Sequence, residues 1–175
     1  MKTLVVYFSR SGVTKALAEQ IARGCAADIE PVKDLTVRDG LFGYLKSLLQ
    51  AAWHREALIG SSEYSPGDYE LIVLGTPIWC WNMSSPIRSY IKRYPGQFRR
   101  VALFCTYGGA GQEKVLADMQ ELCGVEPIAT LAVTTKKMRE ELIQQKVTDF
   151  ARVIQGVERS TASAVGTSPK HAIAT

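Results

Sequence analysis

Three hydroxyl residues surround a glycine near the amino terminus of this 175-residue chain: Ser9, Ser11, Gly12 and Thr14. The apolar residues 4–8 before them predict a buried strand, and the amphipathic pattern from residue 14 predicts a helix. A helix that begins directly after a short loop offers backbone N–H groups and the positive end of its dipole to an anion. The spacing therefore predicts a phosphate-binding loop. A hydroxyl-capped helix without a ligand is the alternative.

The whole loop reads Ser9-Arg10-Ser11-Gly12-Val13-Thr14. It resembles the phosphate loop of the flavodoxin-like family, in which hydroxyl residues and a glycine enclose the 5′-phosphate of FMN. The resemblance implies FMN as the cofactor and these six residues as its phosphate site. A nucleoside triphosphate loop would need a second glycine followed by Lys and Ser or Thr, and a dinucleotide fold would need a glycine-rich turn. A phosphoryl-accepting receiver domain would need acidic residues where Ser9 and Arg10 stand.

Strand-like and helix-like segments alternate along the rest of the chain, as they do in a parallel α/β sheet. Further strands are expected over residues 27–32, 69–75, 101–106 and 127–133. Helices are expected to begin near residue 14 and to cover residues 86–94, 112–122 and 137–154. Five such strands fit the flavodoxin-like fold, a three-layer α/β/α sandwich whose parallel sheet has the order 2-1-3-4-5. In that order the loops after the first, third and fourth strands meet at one edge of the sheet.

Two tryptophans follow the third strand, in a segment that reads Gly75-Thr76-Pro77-Ile78-Trp79-Cys80-Trp81-Asn82. Tryptophans at the mouth of a sheet expose apolar surface unless something flat covers them, and the isoalloxazine ring of a flavin would do so. The alternative is that either indole packs under a neighbouring loop. Gly-Thr-Pro-aromatic segments in flavodoxin-like proteins lie against the ring. The resemblance therefore implies cofactor contacts from Thr76, Pro77, Ile78, Trp79, Cys80, Trp81 and Asn82.

A glycine-rich loop follows the fourth strand and reads Thr106-Tyr107-Gly108-Gly109-Ala110-Gly111. Glycines permit close backbone approach, so N–H groups here are expected to meet the pyrimidine edge of a flavin, with Tyr107 nearby. The glycine pattern alone is a weak signal, and its position after the fourth strand gives it weight. The expected cofactor residues of this loop are Thr106, Tyr107, Gly108, Gly109 and Gly111.

No side chain is predicted to act as a catalytic nucleophile or a metal ligand. Cys80 lacks the arginine that a phosphatase nucleophile needs six residues later, because Pro86 stands there, and no His or Asp partner is evident. The four cysteines are scattered without CxxC spacing beside only two histidines, which predicts reduced thiols and no zinc site. We therefore expect the cofactor to carry the chemistry.

Length and a hydrophobic content of 46% predict a single domain, and composition predicts a Ser/Thr/Ala-rich tail over residues 159–175. The resemblance implies that the domain, over residues 1–158, is flavodoxin-like. A helical insertion is expected over about residues 36–67. Its apolar stripe favours a helix that covers the core, or else a lid or the face of a homodimer. Neither a signal peptide nor an apolar run of membrane length is found, so a cytoplasmic protein is expected. The basic residues are too few for a nucleic-acid-binding arm.

The formal net charge of +4 bears on the kind of flavoprotein this is. Flavodoxins that act as low-potential carriers are strongly acidic, which is a property of the family that the chain resembles. A negative envelope disfavours the reduced, anionic flavin, and a basic chain lacks that effect unless Glu63, Asp68 and Glu70 cluster near the site. We therefore favour an FMN-dependent oxidoreductase that passes electrons from NAD(P)H or a reductase to a small acceptor such as a quinone. A flavodoxin-type carrier between protein partners is the alternative, and a flavin-free interaction module is a weaker one.

Overall fold

The computed structural model describes residues 1–35, 57–135 and 140–165. The described strands are β1 (Thr3–Tyr7), β2 (Asp28–Pro31), β3 (Leu71–Trp79), β4 (Asn82–Met83), β5 (Val101–Tyr107) and β6 (Pro127–Thr134). The described helices are α1 (Val13–Cys25), α2 (Ser85–Arg93), α3 (Gln112–Cys123) and α4 (Glu140–Val165), and a short 3-10 helix, Pro66–Asp68, precedes β3. The five predicted strands and the four predicted helices outside the insertion thus each have an observed counterpart.

The long strands form one parallel sheet in the order β2-β1-β3-β5-β6. The two-residue β4 lies outside that path and pairs with the end of β3 in the antiparallel direction. With β4 set aside, this is the predicted order 2-1-3-4-5. The predicted flavodoxin-like fold is therefore confirmed.

Side chains of the central strands enter two separate cores, because successive residues of a strand point to opposite faces of the sheet. Leu4 and Val6 of β1 pack in the core that α2 and α3 cover. Val5 and Tyr7 of the same strand pack in the core that α1 and α4 cover. Helices on both faces of the sheet make the three layers.

One departure from the predicted elements lies at the end of β3. A strand over residues 69–75 was expected to give way to a loop, but β3 continues to Trp79 and turns back into β4. The turn consists of Cys80 and Trp81, whose φ angles are 46° and 57°. Two positive φ angles are typical of a type I′ hairpin turn, which usually contains Asn or Gly. The pair Cys-Trp carries no such signal, so the hairpin could not be read from the sequence.

The insertion expected over residues 36–67 is described from residue 57 onward. Just before and just after the undescribed part, the chain forms a short antiparallel contact in which the Leu35 N–H donates to the Leu58 carbonyl at 2.8 Å. The apolar stripe from Leu41 to Trp53 lies outside the described residues. Whether it covers the core, forms a lid or forms a dimer face stays a prediction.

α4 is 26 residues long and continues past residue 154, where its end was expected, into the segment predicted as a tail. Val147, Phe150, Ala151 and Ile154 of α4 are buried in the same core as α1. Among the described helices, none combines the length and the apolar character that crossing a lipid bilayer requires.

Candidate functional site

The loops after β1, β3 and β5 meet at the carboxyl edge of the sheet. Phe8, directly after β1, contacts Trp79 edge to face, with ring centroids 5.7 Å apart and an interplanar angle of 89°. Thr14 and Thr106 share a buried hydrogen bond between their Oγ1 atoms at 2.8 Å. Trp81 makes a third contact, between the loops after β3 and β5. The structure thus brings together the three segments that the sequence assigned to one site.

The loop between β1 and α1 presents the start of the helix without a side-chain cap. Gly12 is the N-cap residue, with φ of 89°, and its N–H donates to Ser9 Oγ at 3.2 Å. The first helical hydrogen bond runs from the Ala16 N–H to the Gly12 carbonyl at 2.9 Å, so the N–H groups of residues 13–15 precede it. The hydroxyl-capped helix is therefore not what the structure contains. The helix start keeps the donors and the dipole that attract an anion.

The three hydroxyls of this loop differ in their surroundings, a difference that the sequence pattern does not indicate. Thr14 is only 2% exposed, and its bond to Thr106 ties the first loop to β5. Ser9 is half-buried and accepts the Gly12 N–H. The exposed residues of the loop are Arg10, Ser11, Gly12 and Val13. Ser11 is therefore the hydroxyl most accessible to a ligand.

The hairpin after β3 places its two tryptophans in different surroundings. Trp79 is half-buried and packs edge to face on Phe8. Trp81 is 64% exposed. A Cβ added to Gly111 would lie 2.9 Å from Trp81 Cδ1, so the glycine allows the indole to approach the start of α3. Trp81 is thus the tryptophan with a broad face open to a flat ligand.

Other residues of this hairpin make contacts mainly within the protein. Thr76 is fully buried, and its hydroxyl accepts the Ser84 N–H at 2.9 Å and donates to Ser84 Oγ at 3.0 Å. These bonds fix the start of α2 against β3. Pro77 and Ile78 are half-buried. Thr76 therefore supports the loop from within and exposes no surface to a ligand at this edge.

Asn82 supports the turn from the inside. Its Nδ2 donates to the Cys80 carbonyl at 2.8 Å, and its Oδ1 accepts from Lys114 Nζ at 3.3 Å. Lys114, on α3, also forms an ion pair with Asp118. Asn82 is 7% exposed, whereas Cys80 is exposed. Lys114 is not among the predicted site residues, because nothing in the sequence distinguishes it from the other lysines until the fold places it beside the hairpin.

The last residue of β5 is held by a hydrogen bond, whereas the loop that follows it is exposed. The Tyr107 carbonyl accepts the Thr135 N–H at 2.7 Å, and Tyr107 itself is half-buried. Gly108 and Gly109 are exposed. Gly111, with φ of 104°, is the N-cap of α3. Backbone groups of this loop are therefore accessible at the same edge as Trp81.

The three loops carry little charge. Residues 8–14 contain Arg10 as their only charged residue, and residues 75–86 and 106–112 contain no charged residue. The candidate site is therefore surrounded by polar, apolar and glycine residues, with one cation and no carboxylate in the loops.

The acidic residues that were considered as neighbours of the site lie elsewhere. Glu70 accepts a hydrogen bond from the Lys2 backbone N–H at 3.2 Å, at the amino end of the sheet. Asp68 belongs to the 3-10 helix before β3, at that same end. Glu63 pairs with Lys33 at 3.5 Å, beyond edge strand β2. These carboxylates do not form a negative cluster among the three loops.

The Cys105 thiol is close to the site but is buried. Burial raises the pKa of the Cys105 thiol, directly before Thr106, to about 12, so this thiol is neutral at physiological pH. Within residues 1–35, 57–135 and 140–165, no group of three or more His, Cys, Asp or Glu side chains is arranged to hold a metal ion. The arrangement can bind an anion at the start of α1 and a flat group beside Trp81.

Comparisons with known proteins agree with this geometry. A family model described as Flavodoxin matches residues 2–152. A flavoprotein from Lactobacillus acidophilus NCFM, solved in complex with FMN, is 26% identical; the match covers 75% of this chain and 92% of that chain, with a TM-score of 0.60. A putative flavoprotein from Bacteroides eggerthii DSM 20697 is 21% identical over 86% of this chain and 98% of that chain, with a TM-score of 0.66. A flavodoxin from the domain Archaea shares the fold at 21% identity, covering 89% and 99% of the two chains with a TM-score of 0.54. No curated protein matches the sequence.

Proposed function

Because the chain belongs to the flavodoxin family, we propose that it is an FMN-dependent oxidoreductase that passes electrons from NAD(P)H or a reductase to a small acceptor such as a quinone. Its cofactor is FMN. The observation that carries the oxidoreductase assignment is the charge of the three converging loops, which contain one arginine and no acidic residue. When bound, FMN supplies the electron-carrying chemistry, and the protein holds and orients it.

The start of α1 would hold the phosphate. Residues 13–15 contribute the backbone N–H groups that precede the first helical hydrogen bond, and Ser11 contributes an exposed hydroxyl. Arg10 adds the one positive charge of the three loops. Ser9 and Thr14 support the loop through their bonds to Gly12 and Thr106, since a hydroxyl can donate one hydrogen bond and accept others.

The loops after β3 and β5 would hold the ring. Trp81 offers a 64% exposed indole on which a flat group can stack. Gly108 and Gly109 offer exposed backbone to the polar edge of the ring. Asn82, Thr76 and Thr106 are buried, and their side chains keep the loops in place. One set of residues would thus contact the cofactor, and a second, buried set holds those contacting residues in position.

The charge of the loops favours a reductase over a low-potential carrier. A carboxylate close to the ring raises the free energy of any state in which the ring gains negative charge, because like charges repel strongly at short distance in a partly dry site. The three loops contain no such carboxylate, and Asp68 and Glu70 lie at the opposite end of the sheet. Uptake of two electrons is therefore not opposed at the site.

The phosphate site is tested by Ser11→Ala. We expect the Kd for FMN to rise by about tenfold to a hundredfold, because a hydrogen bond to a charged group contributes about 1.5–3 kcal/mol. The affinity for riboflavin, which lacks the phosphate, should stay the same. Ser65→Ala is the matched control, since Ser65 is exposed before the 3-10 helix at the opposite end of the sheet. Unchanged FMN affinity in Ser11→Ala would contradict the assignment.

Whether the protein is a reductase or an electron carrier is tested by anaerobic titration of the FMN-loaded protein with dithionite and by an assay of NAD(P)H oxidation. We expect the absorbance of the oxidised flavin to disappear in one phase, and added quinone to accelerate oxidation of NADH or NADPH. A stable long-wavelength band together with negligible NAD(P)H oxidation would instead indicate an electron carrier between proteins. A colourless protein that does not take up FMN would indicate an interaction module and overturn both assignments.

A further inference from the structure

We propose that Lys114 is a positioning residue for the flavin ring, acting through Asn82 on the turn that presents Trp81. The inference rests on the proposed FMN site and adds to it a residue of α3 that lies outside the three loops. Three hydrogen bonds or ion pairs carry it, running from Asp118 to Lys114, from Lys114 to Asn82, and from Asn82 to the Cys80 carbonyl.

The turn needs support because its backbone is strained. Cys80 and Trp81 have φ angles of 46° and 57°, in the left-handed region that residues with a Cβ rarely adopt. Strain of this kind persists only where surrounding contacts hold it. The contact between Trp81 and Gly111 is one such support. The hydrogen bond that Asn82 donates to the Cys80 carbonyl is another.

Lys114 determines which way the Asn82 amide faces. An ammonium group has only donors, so it can meet the amide oxygen of Asn82 and not the amide nitrogen. The bond from Lys114 Nζ to Asn82 Oδ1, at 3.3 Å, therefore directs Nδ2 toward the Cys80 carbonyl. Without the ammonium, the buried amide could rotate and present its oxygen to that carbonyl, which would repel it. Lys114 thus selects the amide orientation that supports the turn.

Asp118 holds Lys114 in place. The two residues are one helical turn apart on α3 and form an ion pair, with side chains that are 52% exposed for Lys114 and 27% exposed for Asp118. The charge of Asp118 also acts on Arg88 of α2, a buried guanidinium. Asp118 therefore interacts electrostatically with a cation on each of two helices. Through Asp118 and Lys114, the packing of α2 and α3 sets the turn that carries Trp81.

The first test is flavin affinity in Lys114→Met, which keeps the length of the side chain and removes the ammonium. We expect the Kd for FMN and the Kd for riboflavin to rise together by about threefold to tenfold, because Lys114 is half-exposed and acts on the ring side of the site. Lys146→Met is the matched control, since it removes the same charge from an exposed position on α4. A loss confined to FMN would mean that Lys114 attracts the phosphate and would overturn the proposal.

A double-mutant comparison separates positioning from simple charge attraction. If Lys114 acts through Asn82, Lys114→Met has no further effect on affinity in an Asn82→Ala background. If it acts by its charge alone, the loss is the same in both backgrounds and shrinks at high salt. The second result would overturn the proposal.

A measurement without flavin keeps the test independent of the proposed function. Replacing Trp53 and Trp79 by Phe leaves Trp81 as the only one of the three tryptophans. Adding Lys114→Met to that protein should increase the fast component of its time-resolved fluorescence anisotropy, because the turn gains freedom. Unchanged anisotropy would overturn the proposal, whether or not Asn82→Ala folds. If the wild-type protein binds no flavin, the proposed function fails while this measurement still decides the role of Lys114.

Discussion

Cys80 has a positive φ angle, which residues with a Cβ rarely adopt. A substitution at this position can therefore increase the stability of the fold. Asn tolerates a positive φ better than Cys and is common at the first position of a type I′ turn. We expect Cys80→Asn to raise the free energy of unfolding by about 0.5–1 kcal/mol, measured by urea denaturation of the flavin-free protein.

Ser61→Asn is the control for this substitution, because Ser61 is exposed and is not among the described residues with positive φ. Its effect should stay within about 0.5 kcal/mol of zero. A lower stability of Cys80→Asn than of the wild type would contradict the interpretation of the turn as strained.

At the scale of the elements, the contact between β3 and β5 depends on one glycine. A Cβ added to Gly75 would lie 1.9 Å from Cζ of Phe104, which is fully buried. Gly75→Ala must displace that ring, and we expect it to lower the free energy of unfolding by about 1–3 kcal/mol or more, measured by urea denaturation. Gly75→Ala/Phe104→Leu should recover part of the loss.

The matched control is Gly156→Ala in α4, where a Cβ would meet no atom within 4 Å. It should raise stability by about 0.5–1 kcal/mol, because Ala favours a helix more than Gly does. Equal stability of Gly75→Ala and the wild type would show that the two strands tolerate a wider spacing.

The elements with strong patterns were predictable, and those set by tertiary contacts were not. The apolar run of residues 101–106 predicted β5, observed as Val101–Tyr107, because a buried parallel strand needs no more than a continuous apolar segment. The extension of β3 was not predicted, because Pro77 argues against a strand and Cys80 and Trp81 are not turn residues. The topology correctly predicted which loops meet. Whether the hydroxyls of Thr14 and Ser11 are buried or exposed depends on residues from distant segments, so the sequence alone does not distinguish them.

At the scale of the whole molecule, two buried thiols make the fold sensitive to alkaline pH. Burial raises the pKa of Cys105 and of Cys123 from 9.0 to about 12. Between these values the unfolded chain has released protons that the folded chain retains. Stability therefore falls as pH rises, by up to about 1.4 kcal/mol per pH unit for each thiol. Below the thiol pKa of the unfolded chain, the thiols are protonated in both the folded and the unfolded state, and they cause no pH dependence of stability.

Urea midpoints under reducing conditions, from about pH 8 to about pH 11, check this expectation. The midpoint should be steady at first and then decline above about pH 9. Cys105→Ala/Cys123→Ala should decline less steeply than the wild type, although it starts from a lower stability because of the space left in the core. A wild-type midpoint that does not change over this range would contradict the expectation.

The pairing of β1 with β3 has a consequence for the order of events during synthesis. The pair runs from Thr3 beside Leu71 to Tyr7 beside Gly75, although β2 and the insertion lie between these strands in the chain. Contacts between segments so distant in sequence form late, because a long loop must close first. A nascent chain therefore displays residues 9–14, the proposed phosphate site, well before Phe8 can meet Trp79, and Trp81 contacts Gly111 later still. Cofactor capture thus marks the completion of the central sheet, and a ribosome-bound chain that ends before α3 should emerge without flavin.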